Sequence, residues 1–217
     1  IRDRYQTDII PVNENEDGFF EACSPRKVGD TYYLIYSPRI GSRLAYATSK
    51  SPTGPFTYRG YIVDNGVDYP GGNNHGSICN INGQWYIFYH RMTNSSIMSR
   101  RGCVERIEIL EDGTIPPVEM TSLGFEESLN PYKQTDADTV CVLKDGRQQA
   151  LITELDAFTR IITNITDGCI MGWKYFDFGD DFTNDELTFM CKVLPRGCHG
   201  TLHICIAVSY THLRAHE

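Results

Sequence analysis

Two residues in this 217-residue chain stand where side-chain chemistry could be done, Glu21 and His75. Each sits at the polar start of a run of aromatic and β-branched residues. Phe20-Glu21-Ala22-Cys23-Ser24 opens one run, and Asn73-Asn74-His75-Gly76-Ser77 opens the other 53 residues later. A carboxyl group between Phe20 and Ala22 is placed for desolvation, which keeps a carboxylic acid protonated toward neutral pH and suits it to general acid work. The plainer alternatives are an exposed strand-edge charge for Glu21 and a hydrogen-bonded core imidazole for His75. Other motifs carry less. Asn94-Ser95-Ser96 and Asn164-Ile165-Thr166 fit the N-glycosylation acceptor, a short pattern that recurs by chance. Cys198, His199, His203 and Cys205 lack the closely paired ligand spacing of structural zinc sites. None of the eight cysteines forms a C-x-x-C pair, so free thiols acting as small apolar side chains are expected.

The elements that must carry Glu21 and His75 are legible as an internal repeat. Val28-Gly29-Asp30-Thr31-Tyr32-Tyr33-Leu34-Ile35-Tyr36-Ser37 lines up with Ile81-Asn82-Gly83-Gln84-Trp85-Tyr86-Ile87-Phe88-Tyr89-His90. Each copy puts a glycine-containing turn before residues that favour a pleated surface. A third strand is expected over 42–49 and a fourth over 56–63, on either side of the Ser51-Pro52-Thr53-Gly54-Pro55 turn. Repeats of this length with four short strands each are the mark of propeller blades, whose first strands line a central channel. Glu21 and His75 should therefore face a common axis. The aromatics Trp85, Tyr86, Phe88 and Tyr89 alternate between the faces of one strand and read as blade packing. Two blades cannot close a ring, so the chain reads as the back part of a longer propeller.

Beyond Glu105-Arg106-Ile107-Glu108-Ile109-Leu110 and the Glu111-Asp112-Gly113 turn, a further strand is expected over 115–120. Residues 124–138 are polar and rich in turn formers, a plausible joint. Short β-like runs follow at 139–143, 160–163, 172–178, 186–193 and 200–208, separated by Asp, Gly and Asn clusters, as in a small antiparallel sandwich. No long segment with helical period occurs, so the fold class is all-β: a partial five-bladed β-propeller plus a truncated β-sandwich. The divisions are 1–125, 126–208 and a tail, 209–217, that resembles neither.

Phe19-Phe20-Glu21-Ala22, Tyr32-Tyr33-Leu34-Ile35-Tyr36-Ser37, Ala45-Tyr46-Ala47-Thr48-Ser49, Asn73-Asn74-His75-Gly76-Ser77 and Gly83-Gln84-Trp85-Tyr86-Ile87-Phe88-Tyr89-His90-Arg91 together resemble glycoside hydrolase family 43. The resemblance implies five-bladed propellers that cleave α-L-arabinofuranosides and β-D-xylosides with inversion. It covers residues 19 to about 124. Residues 130–206, with Ile162-Thr163-Asn164-Ile165-Thr166-Asp167-Gly168, are similar to the family-6 carbohydrate-binding sandwich that often follows. By this resemblance Glu21 is the catalytic general acid. Arg100, His75 and Asn74 line the sugar site, with Arg101 one residue away and Arg91 as a substitute for Arg100. His75 is also the axial histidine that in several members approaches a central calcium, although calcium prefers oxygen ligands. No cofactor is required, and a structural calcium is the one ion implied. The general base and a second aspartate lie on blades before Glu21, and Asp3 and Asp17 do not match their context. Arg106 stands where the family commonly has proline.

Composition bounds the partners. Twenty basic against 28 acidic residues give a net charge of −8, which repels phosphate backbones and argues against nucleic acid. No apolar stretch reaches membrane-spanning length, so a soluble chain is expected, and no targeting signal is visible within the chain, so compartment is left open. An oligo- or polysaccharide of the arabinoxylan or xylan type is the expected partner. The alternative from another class is a non-catalytic carbohydrate-binding protein built from the same parts.

Overall fold

The structure, a computed structural model, describes residues 18–179, 188–194, 197 and 199–206. Residues up to 180 pack as one unit and those from 181 as another. The first unit begins with four antiparallel strands in sheet order β1-β2-β3-β4: β1 (Phe19–Val28), β2 (Thr31–Pro38), β3 (Arg43–Ser49) and β4 (Thr57–Asp64). A second antiparallel sheet holds β5 (Ser77–Ile81), β6 (Gln84–Met92) and β7 (Arg100–Ile107). The repeat is thus two consecutive blades. Its turns explain the register: Asn82 and Gly83 both have positive φ, the two-residue hairpin geometry that the strands' own twist prefers.

Apolar alternation seats the two sheets against each other. Tyr33, Ile35, Leu44 and Tyr46 of the first share one buried cluster with Ile78, Ile87, Tyr89 and Ile107 of the second. Leu34, Tyr36, Ala45 and Ala47, on the opposite face of β2 and β3, form another with Phe56. The continuous burial of β2 from Tyr33 to Pro38 follows, since both of its faces are covered. The first strands of the two sheets also meet directly. Ser24 Oγ lies 3.0 Å from Ser77 Oγ, and Arg26 donates from Nε to the Ile78 carbonyl at 3.0 Å and from Nη2 to Ser77 Oγ at 2.7 Å.

Several expected strands differ. Residues 115–120 form none, because Pro116 and Pro117 cannot donate to a ladder. That segment instead crosses the first sheet as a strap, with Ile115 N donating to Tyr46 Oη and Val118 N to the Ile62 carbonyl. The run at 139–143 opens with a 3₁₀ turn (Ala137–Thr139) and becomes strand only in β8 (Val142–Lys144). The expected strand over 160–163 is present as β10 (Arg160–Thr163), paired with β9 (Leu151–Glu154), which the sequence reading did not anticipate. β11 (Ile170–Gly172) pairs with β8 and stops where 172–178 was expected to begin. Past residue 125 the packing continues: Cys141 and Val142 lie in the same buried cluster as Tyr69 and Tyr89.

In the second unit, residues 188–193 and 200–206 carry no strand. Phe189, Met190, Val193, Leu202, Ile204 and Ile206 there are exposed, and a lone extended segment has no ladder to stabilise it. Residues 186, 187, 207 and 208, the tail 209–217, Cys198 of the zinc-like cluster, and Asp3 and Asp17 lie outside the described residues. The seven described cysteines are free. Among the described residues no helix is long and apolar enough to cross a membrane.

Candidate functional site

Glu21 reaches the axis through an irregular strand. The β1–β2 register shifts on both sides of Glu21, and Ala22 has φ +58°, left-handed backbone that costs a residue with a Cβ about 1–2 kcal/mol. Such bulges re-aim a side chain and gather at functional sites. Glu21 Oε1 lies 3.1 Å from His75 Nε2. The expected desolvation of Glu21 by its neighbours is not found: its side chain is 41% exposed, and Phe20 is 57% exposed.

His75 is built differently. Residues 73–76 precede β5 and belong to no strand. They are held by side chains. Asn73 Nδ2 lies 3.0 Å from His75 Nε2, and Asn74 Oδ1 accepts the His90 N–H at 3.4 Å. In return His75 N–H donates to His90 Nδ1 at 3.2 Å, and the two imidazoles meet edge to face with centroids 5.3 Å apart. Gly76 lies so close to β6 that a Cβ there would stand 2.5 Å from the Phe88 carbonyl and 2.4 Å from Leu44 Cδ2. Asn65 Nδ2 holds the His90 carbonyl at 2.8 Å.

The sequence reading missed His90. Period-two alternation along β6 could have found it, since Ile87, Tyr89 and Arg91 share the core face and Phe88 and His90 the other. An acceptor Nδ1 fixes the ring as the Nε2–H tautomer. Burial holds the His90 imidazole below its ordinary value of 6.5, and the charge of Arg100 and then His75 push the same way.

The remaining expected residues separate cleanly. Arg100 is exposed, with Nε donating to the Ile97 carbonyl at 3.1 Å. Arg101 turns the other way, its Nη2 donating to the Ile152 carbonyl at 3.0 Å. Arg91, the suggested substitute, is 5% exposed, donates to the Val140 and Asp138 carbonyls and lies over the Tyr69 ring at 4.5 Å. It is a structural cation away from Glu21. Asn74, expected among the sugar-lining residues, is fully buried and supports β6 from beneath. Glu105 is buried too, accepting from Tyr89 Oη, Thr121 N and Thr121 Oγ1; burial pushes its carboxyl up. As for calcium, His75 Nε2 is already engaged by Glu21 and Asn73, and among the described residues no three His, Cys, Asp or Glu gather as ligands. The described donors do not fit that ion, which wants six to eight oxygens.

Blade-like sheets in which a first strand and the segment ahead of the next bring a carboxyl group and an imidazole together define an all-β protein with a polar site where the two sheets meet. No family model matches the chain. It is 46% identical over 191 residues to a xylosidase/arabinosidase of Thermoclostridium stercorarium, covering 73% of this chain and 40% of that protein. It is 33% identical over 139 residues to an arabinoxylan arabinofuranohydrolase of Bacillus subtilis, covering 55% of this chain and 27% of that one. A solved family 43 β-xylosidase/α-arabinofuranosidase from a compost metagenome, in complex with xylotriose, is 40% identical over 46% of this chain and 30% of its own, with a TM-score of 0.43. By sequence the chain is similar to part of these xylosidase and arabinofuranosidase enzymes. It spans 40% of the Thermoclostridium relative and 27% of the Bacillus one.

Proposed function

We propose that this chain supplies the acid-bearing side of an inverting glycosidase site that acts on α-L-arabinofuranosyl or β-D-xylosyl linkages of xylan-type polysaccharides. The observation that carries the reading is the contact of Glu21, on the first strand of one blade, with His75, just ahead of the first strand of the next. Inverting hydrolysis needs one carboxylic acid to protonate the leaving oxygen and one carboxylate to activate water, about 6.5–9.5 Å apart. Glu21 is the acid. Asn73 Nδ2 and Glu21 Oε1 both lie within hydrogen-bond distance of His75 Nε2, which fixes the carboxyl group against the imidazole. Arg100 orients the sugar. The second carboxylate belongs to the part of the enzyme that precedes Glu21. The chemistry moves one proton and one water and needs no cofactor. The stretch from residue 126, which holds the β8–β11 and β9–β10 pairs, is the start of an accessory sandwich of carbohydrate-binding type.

The test is Glu21→Gln in the full-length enzyme that carries this chain. Gln keeps size and hydrogen bonding but delivers no proton. Xylo-oligosaccharides, with poor leaving groups, should lose about 10²–10⁴-fold in rate, the usual worth of acid catalysis. Nitrophenyl glycosides, whose leaving groups need little protonation, should lose far less. Equal losses on both would end the acid assignment.

A further inference from the structure

The loop between β6 and β7, residues 93–99, carries Arg100 at its end and is closed on itself. Thr93 N–H donates to the Ser99 carbonyl at 2.8 Å, and the Thr93 and Ser99 hydroxyls meet at 2.8 Å. Asn94 and Ser95 sit at φ +60° and +46°, backbone that side chains avoid unless their surroundings impose it. The imposing partner is β9, some 50 residues further along the chain. Asn94 Oδ1 accepts the Ile152 N–H at 2.8 Å, and its Nδ2 donates to the Ile152 carbonyl at 3.1 Å. One side-chain amide thus pairs with both backbone groups of Ile152, as a neighbouring strand would, and closes that edge of β9. Arg101 adds a second donor to the same carbonyl at 3.0 Å and ties Thr93 Oγ1 with its Nε at 3.3 Å. Ile152 itself is 1% exposed, so this peptide is a fixed point.

We infer that Asn94 is a positioning residue: through its paired hydrogen bonds to Ile152, the accessory strand β9 sets the loop 93–99 and hence where Arg100 meets the substrate. This rests on the glycosidase reading for the role of Arg100, not for the loop's anchoring. The loop has no other long-range side-chain tether of this kind among its described hydrogen bonds, and the guanidinium of Arg100 donates within it, to the Ile97 carbonyl. A consequence is that Asn94, although it fits the glycosylation acceptor pattern, has its amide nitrogen committed to Ile152 and Ser99. A glycan attached there would have to displace the strand contact.

A double-mutant cycle tests the inference in the full-length enzyme. Asn94→Leu keeps volume and removes both bonds. Displacing a substrate-orienting group by about an ångström costs up to about 10²-fold, so kcat/KM should fall about 10–100-fold, mostly through KM. In an Arg100→Ala background the same substitution should cost less than about threefold, because the loop no longer carries anything to misplace. The contrast between oligosaccharide and nitrophenyl substrates should stay as in wild type, since Glu21 is untouched. Independently of turnover, amide hydrogen exchange over 93–101 should quicken in Asn94→Leu. Full additivity with Arg100→Ala, or unchanged exchange, overturns the inference. If Arg100→Ala alone has no effect while exchange quickens, the substrate role of Arg100 fails and the anchoring stands. Should Asn94→Leu not fold, Asn94→Asp, which keeps acceptance from Ile152 N–H but repels its carbonyl, goes through the same cycle and exchange measurement.

Discussion

The two blades present their axial residues by opposite means. Glu21 sits inside β1, and backbone irregularity aims it: two register shifts and a left-handed Ala22. His75 sits ahead of β5, and side chains from β6 and from its own loop aim it: His90 Nδ1 accepts the His75 N–H, and Asn74 Oδ1 accepts the His90 N–H. Strain stored in a strand is local and is offset by the ladder on either side. A side-chain scaffold is spread over several residues, and removing any one leaves a polar group unpaired in a buried place, which is costly. Blade two should therefore be the more fragile of the two to substitution.

The largest effect expected is at Gly76. Gly76→Ala drives a Cβ against the Phe88 carbonyl and Leu44, and backbone oxygen cannot step aside as a flexible side chain would. Overpacking of this kind typically costs about 1–3 kcal/mol, occasionally more. A thermal or denaturant midpoint within error of wild type would show that the scaffold yields more easily than its packing indicates.

Next comes His90. His90→Leu leaves the His75 N–H without its acceptor, at a cost of about 1–3 kcal/mol, and His90→Asn, whose oxygen can reach the same proton, should recover most of it. The pair also separates by pH. His90 is held below 6.5 in the folded chain chiefly by burial, so below about that value the unfolded chain binds a proton that the folded one refuses. Stability is unaffected by this group above pH 6.5 and is lost as pH falls toward the folded value. His90→Asn should flatten that acid limb of the stability curve. An unchanged limb would assign the loss to other groups.

The smallest effect is expected in blade one. Ala22→Gly relieves the left-handed cost at the price of a looser unfolded chain, so stability should change by less than about 1 kcal/mol, toward gain. If it destabilises as much as His90→Leu does, the two blades are equally fragile and the contrast between them disappears.

The repeat made much of this visible in advance. An offset of 53 residues pairs Ser24 with Ser77, and their hydroxyls do touch; the same alignment put Glu21 and His75 on one axis. What it could not show was anything outside the repeat. The reading of 115–120 as strand followed its apolar residues and overlooked two prolines that leave it without donors. β9 went unseen because its outer edge is finished by the amide of Asn94, a partner that no local pattern announces. Arg91 and Arg100 look interchangeable in a linear string. They differ because Arg91 shares the core face of β6 with Ile87 and Tyr89, whereas Arg100 opens β7 at an exposed loop end.

Arg91 bears on how such enzymes recombine in evolution. Its guanidinium, inside the core of the blades, is hydrogen-bonded to the carbonyls of Asp138 and Val140, and Tyr69 closes the arrangement with its own hydroxyl on Val140. A gene fusion that joined these blades to a different module at residue 125 would leave a buried cation facing nothing. Shuffling at that point is viable only if the incoming module brings two carbonyls to the same spot, or if Arg91 is replaced in the same step. The blades and the stretch through Val140 therefore hold together as one packed unit, and a cut at residue 125 would break it.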